Sequence, residues 1–189
     1  MGRRYALTAA HVVADDVGSP VIQPAALDGG STLDRIGLVS RKLGVGTEHP
    51  SEAAAALIEL AEDVKAENVL PGRGVIGPPT GAPVELGAKV SVIARSGLKQ
   101  AVLQAIAVDM QIHVGAGRPT MFRNLILTSP VSEPGDSGAP VVTEDNKLIG
   151  FVFAGSQTAT LVMPIAPILE ALGVKWLDAQ PKTDSSDGG

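Results

Sequence analysis

Apolar residues in this chain fall in short runs that alternate with clusters of Gly, Pro, Ser and Asp, the pattern of strands separated by turns. Tyr5-Ala6-Leu7-Thr8 predicts a strand and Ala9–Ala14 a short turn of helix after it. Val21-Ile22-Gln23, bracketed by Gly18-Ser19-Pro20 and Leu27–Ser31, and Arg35–Arg41 predict two more strands. Gly44–Ser51, with His49, predicts a loop. Further on, Gly87–Ile93 predicts a strand with Arg95–Gln100 as its hairpin loop, Ala101–His113 another strand or two, and Met121–Thr128 one more. Val141–Thr143 and Leu148–Phe153, joined by a tight turn at Asn146-Lys147, predict a hairpin, and Thr160–Ile165 the last strand. Only Pro167–Leu172, with a proline near its start, apolar residues at helical spacing and Gly173 as a stop, predicts a helix. Ala53–Leu60 is ambiguous, since alanine, leucine and glutamate favour a helix by propensity.

Turn residues concentrate between positions 71 and 86, so the chain divides into an N-terminal unit over 1–70, a connection over 71–86 and a C-terminal unit over 87–177. Residues 178–189 are polar, rich in Ser, Asp and Gly, and expected to be disordered. A pair of compact barrels fits a length of 189 residues. With only 3% aromatic residues, their cores must be filled by Val, Ile, Leu and Ala. A net charge of -5 without a basic run argues against nucleic acid as a partner. The absence of cysteine removes disulfides, thiolate catalysis and cysteine zinc sites together. No apolar run has the length of a membrane span, and no signal-peptide core precedes Tyr5, so a cytoplasmic location is expected. The histidines are scattered and form no metal-ligand cluster; neither metal nor cofactor is expected.

The chemistry concentrates in Glu133-Pro134-Gly135-Asp136-Ser137-Gly138-Ala139-Pro140. A serine between glycines on a tight turn exposes its hydroxyl while neighbouring amides converge on one point, where an oxyanion can be held. Such a hydroxyl needs a base, and Thr8-Ala9-Ala10-His11 offers one upstream. An α/β-hydrolase would need glycine where Ala139 stands and a histidine after the serine, whereas His11, His49 and His113 all precede it. A subtilisin-type order would need its acid before His11, where there is none.

Thr-Ala-Ala-His followed far downstream by Gly-Asp-Ser-Gly resembles the trypsin-like (chymotrypsin-fold) serine peptidases over roughly Tyr5–Trp176. The resemblance implies an all-β fold of two six-stranded antiparallel barrels and a C-terminal helix, with a polypeptide as substrate. It assigns His11 as general base, Ser137 as nucleophile, and the amides of Gly135 and Ser137 as the oxyanion hole. Asp136 is expected to fix the loop internally. The specificity pocket would be lined by Val131, Ser132, Phe153, Ala154 and Gly155, with Leu161–Met163 behind, and would take a small or apolar side chain.

Two departures stand out. Relatives carry a hairpin before the histidine strand, whereas here only ten residues precede His11, so the first barrel is expected to be open, through an upstream truncation or because another chain supplies the strands. In addition, matching Ala55-Ala56-Leu57-Ile58 to the family's aspartate strand puts Ala54 at the triad aspartate position. A deliberate aspartate-to-alanine change, a naturally impaired enzyme, or a substitute acid at Glu52 or Asp63 would each account for that. The expected product is a nearly inactive peptidase, or else a non-catalytic module of the same fold that binds a protein partner.

Overall fold

The structure, a computed structural model, describes residues 2–13, 16–44, 51–80, 84–95, 97–113 and 119–177. Twelve strands and one helix follow in the order β1 (Tyr5–Ala9), β2 (Pro20–Ile22), β3 (Arg35–Lys42), β4 (Ala55–Leu60), β5 (Val69–Leu70), β6 (Gly74–Val75), β7 (Lys89–Ala94), β8 (Gly97–Ile112), β9 (Thr120–Thr128), β10 (Pro140–Thr143), β11 (Leu148–Gly155), β12 (Thr160–Pro164) and α1 (Ile165–Leu172). His49 and the tail after residue 177 lie outside the described residues.

The first half is an antiparallel sheet of four strands in the order β1-β4-β3-β2. Helix propensity loses to pairing in β4: sandwiched between β1 and β3, Ala55, Ala56, Leu57 and Ile58 are all buried, on both faces. Small alanines suit a strand covered on both sides, because they let its neighbours approach. Leu60 N–H donates to the Arg4 carbonyl at 3.0 Å and Ala10 N–H to the Ala54 carbonyl at 3.1 Å, so even-numbered residues of this segment turn their backbone groups toward β4. Those of Tyr5 and Leu7 consequently face the outer edge of the sheet, where no described strand pairs with them. The open first barrel expected from the short N-terminal segment is what the described residues form.

The second half closes on itself as a six-stranded barrel, β7-β8-β9-β12-β11-β10. Val90, Val92, Ala101, Val141, Ile149, Val152 and Val162 form one buried cluster there. A larger one, including Ala9, Ala54, Phe122, Phe153, Met163 and Ile168, contains residues of both halves and of α1. Three polar ties also cross between segments. The Arg41 guanidinium donates to the carbonyls of Leu172 and Ala171 at 2.6 and 3.4 Å, on the C-terminal end of α1, where a cation is favoured. Ser51 bridges to β9 through its N–H to Met121 O at 2.8 Å and its carbonyl from Arg123 N–H at 3.0 Å. Arg73, on the turn of the β5–β6 ribbon, donates to Asn146 Oδ1 at 2.7 Å and to Glu144 O at 2.9 Å.

Three local expectations are corrected. The hairpin loop expected at Arg95–Gln100 is shorter, because Gly97–Gln100 pair with Ser91–Ala94 and continue as strand. Ala101–His113, expected as one strand or two, is a single one, the bulk of the 16-residue β8, whose register against β9 shifts at three places. Finally, α1 begins at Ile165, two residues earlier than expected, with Pro167 inside its first turn, where an N–H would have no intrahelical acceptor; Gly173 closes it in a left-handed conformation.

Candidate active site

The serine loop is built from two consecutive turns that share Asp136. Asp136 N–H donates to Glu133 O at 3.0 Å, and Ala139 N–H to Asp136 O at 3.0 Å. Each turn carries a glycine with positive φ at its third position, Gly135 at +99° and Gly138 at +90°, and Pro134 precedes Gly135 as type II geometry favours. Among the described residues, the Gly135 and Ser137 amides meet no acceptor, as an oxyanion hole requires. Asp136 is 3% exposed and accepts from Glu133 N–H at 2.8 Å and Arg95 N–H at 3.1 Å, with Lys99 Nζ 3.6 Å away. It is thus the internal tie of the loop, as expected. Lys99 also bonds Glu133 at 3.0 Å, and the two carboxylates together raise its pKa despite the opposing effect of burial.

His11 follows β1 in the short helical turn Ala10–Val12. Its ring meets Phe153 edge to face, with centroids 5.5 Å apart. The serine loop reaches this strand at Gly138: a Cβ there would lie 2.3 Å from Thr8 Oγ1 and 3.5 Å from Ala9 N. No hydrogen bond joins His11 to Ser137. Ala54, fully buried, accepts the Ala10 N–H and so neighbours the histidine turn, as the aspartate match requires. Glu52 and Asp63 are exposed, and neither bonds His11. Burial and then the Lys42 ammonium lower the His11 pKa from 6.5. Sequence reasoning missed Lys42, whose Nζ also donates to Val13 O at 3.4 Å, because nothing in the spacing brings β3 to the histidine.

Beside the serine loop lies a cleft of about 440 Å³ lined by Ser132, Glu133, Pro134, Ser137, Val152, Ala154, Gly155, Ser156 and Gln157. Of the residues assigned to the pocket, Ser132, Ala154 and Gly155 line this cleft. Phe153 does not: alternation along β11 turns it into the core, where it is 2% exposed and packs against His11 and Phe122. Val131 likewise packs against the barrel core. The floor is held by a residue the sequence reading passed over, Thr160. Fully buried, its Oγ1 accepts from Val131 N–H and Ser132 N–H at 3.0 Å each and lies 2.9 Å from Ser132 Oγ.

An open sheet and a closed barrel that bring a histidine turn up to a glycine-flanked serine loop define the class: a chymotrypsin-like two-barrel fold of the serine-peptidase type. The family model described as trypsin-like peptidase domain matches residues 1–151, and the chain belongs to that family. Solved structures agree in fold. The Nocardiopsis protease NAPase matches with TM-score 0.70 and 19% identity, over 92% of this chain and 85% of that one. Thermobifida fusca protease A matches with TM-score 0.70 and 17% identity, over 94% and 86%. Cellulomonas bogoriensis chymotrypsin matches with TM-score 0.66 and 21% identity, over 92% and 85%. A search of curated proteins finds no significant match.

Two outcomes test the site. Asp136→Ala leaves two amides without their carboxylate and should destabilise the fold by about 2–4 kcal/mol, read as a lowered denaturation midpoint. His11 should titrate below 6.5 by NMR, so its neutral, proton-accepting form persists into mild acid, and Lys42→Met should move the midpoint up.

Proposed function

We propose that this chain is a serine endopeptidase with an impaired chemical step. His11 takes the Ser137 Oγ proton as the oxygen attacks a peptide carbonyl; the Gly135 and Ser137 amides hold the resulting oxyanion; His11 then protonates the departing amine. Water, deprotonated by the same imidazole, releases the acyl group from Ser137. The observation that carries this reading is the double turn at 133–139, which leaves the Gly135 and Ser137 amides without acceptors close to its contact with the histidine strand at Gly138.

Impairment follows from the sign of the charge at His11. A carboxylate would orient the imidazole and favour the imidazolium formed during reaction, whereas Ala54 contributes no charge and Lys42 disfavours that cation. Loss of the carboxylate alone removes about four orders of magnitude in rate by analogy with other hydrolases. The same facts favour a second reading, a peptide-binding module without turnover. A fluorophosphonate probe separates the two. On the enzyme reading, the native chain labels slowly at Ser137, Ser137→Ala abolishes labelling, and Ala54→Asp accelerates it by at least about 100-fold. Absence of labelling in native and Ala54→Asp proteins that are both folded favours the binding module.

A strand from a second polypeptide fits the open edge of β1. The backbone groups of Tyr5 and Leu7 face outward there, beside a groove of about 640 Å³ whose lining includes Leu57, Phe151, Leu169 and Trp176. The isolated chain should therefore self-associate in sedimentation. Leu7→Pro, which removes an outward donor and keeps the β4 pairing, should weaken that association. A monodisperse native chain at high concentration contradicts the edge assignment.

A further inference from the structure

The cleft beside Ser137 has a donor built into its floor, and proton counting identifies it. A threonine hydroxyl has two lone pairs and one proton. Both lone pairs of Thr160 Oγ1 are occupied by the amides of Val131 and Ser132, each at 3.0 Å. Its proton is therefore the one shared with Ser132 Oγ at 2.9 Å, so Thr160 donates and Ser132 accepts. The Ser132 proton is left over, and among the described residues no acceptor takes it. The hydroxyl also stands directly over Gly155: a Cβ on that glycine would be 2.1 Å from Ser132 Oγ. Ser132 Oγ thus packs against the bare backbone of Gly155, and both line the slot beside Ser137. Ser156, at its mouth, has its own hydroxyl engaged with Thr158 and Ala159.

We infer that this slot selects a substrate side chain that is uncharged and ends in a hydrogen-bond acceptor, a carboxamide of asparagine or glutamine, on the residue that contributes the scissile carbonyl. The inference rests on the peptidase reading and replaces the small or apolar preference expected from the sequence with a polar, uncharged one. An apolar side chain there would cover the Ser132 proton without satisfying it. A carboxylate would meet no counter-charge, since among the described residues no cation lines the cleft. Lys99, beside the lining residue Glu133, is held between Glu133 at 3.0 Å and Asp136 at 3.6 Å, and one positive charge against two negative leaves this rim acidic. A lysine or arginine brings donors only, so the Ser132 proton would still lack an acceptor. The carboxamide oxygen accepts from Ser132, and its NH2 group faces the open mouth and water.

Product-type peptides test this without turnover. Acetyl-Ala-Ala-X acids, with X as Asn, Gln, Leu, Met or Glu, are titrated against the full chain by NMR or calorimetry. Asn and Gln peptides should bind about five- to tenfold tighter than their near-isosteres Leu and Met, and tighter than Glu. Ser132→Ala should bring the Asn-to-Leu ratio to about one. Equal or tighter binding of Leu, Met or Glu, or a ratio that survives Ser132→Ala, overturns the slot assignment and leaves the peptidase reading standing. No binding by any of the peptides to the folded chain overturns both.

Discussion

The halves of this molecule meet where there is no room for a side chain. Gly138 presses its backbone against Thr8 and Ala9, and that contact lies one residue from the serine and two from the histidine. Other features serve to hold those two surfaces still. Asp136 fixes the loop from beneath by accepting two amides, and β4 fixes β1 by pairing along its whole length. Buried carboxylates are expensive unless fully bonded, and this one is bonded on both oxygens. The loop geometry therefore survives without any contribution from the position of the missing acid.

That position is not an empty polar socket. Ala54 belongs to the same apolar cluster as Ala10, Phe122 and Phe153, and no buried side-chain polar atom among the described residues lacks a partner. Here a phenyl ring faces His11 and a lysine lies within electrostatic reach. Ala54 itself is packed among apolar side chains.

How much of this was legible beforehand depended on range. Turns announced themselves through Gly, Pro and Asn-Lys, so most strands stood where their patterns put them, and the two catalytic segments were visible because loop geometry is encoded locally. Where neighbours decide, local signals failed. The alanine run of β4 reads as helix until β1 and β3 are known to flank it, and the resemblance rather than the propensity placed it in a strand. The bulges that let β8 run on through residues with positive φ partners such as Asn124 have no short-range mark. Thr160 looked like the polar first residue of an apolar strand, and its role depends on Val131 and Ser132, almost thirty residues earlier. Phe153 was assigned to the pocket from position alone, although strand alternation sends it the other way.

The ties between the halves are reciprocal: Arg41 of the first sheet grips the end of the C-terminal helix, and β9 of the barrel grips Ser51, three positions before Ala54. Each half thus finishes a piece of the other. Recombining either one with a counterpart from a distant relative would break both grips at once, so inheritance and engineering alike must treat the pair as a single unit of exchange.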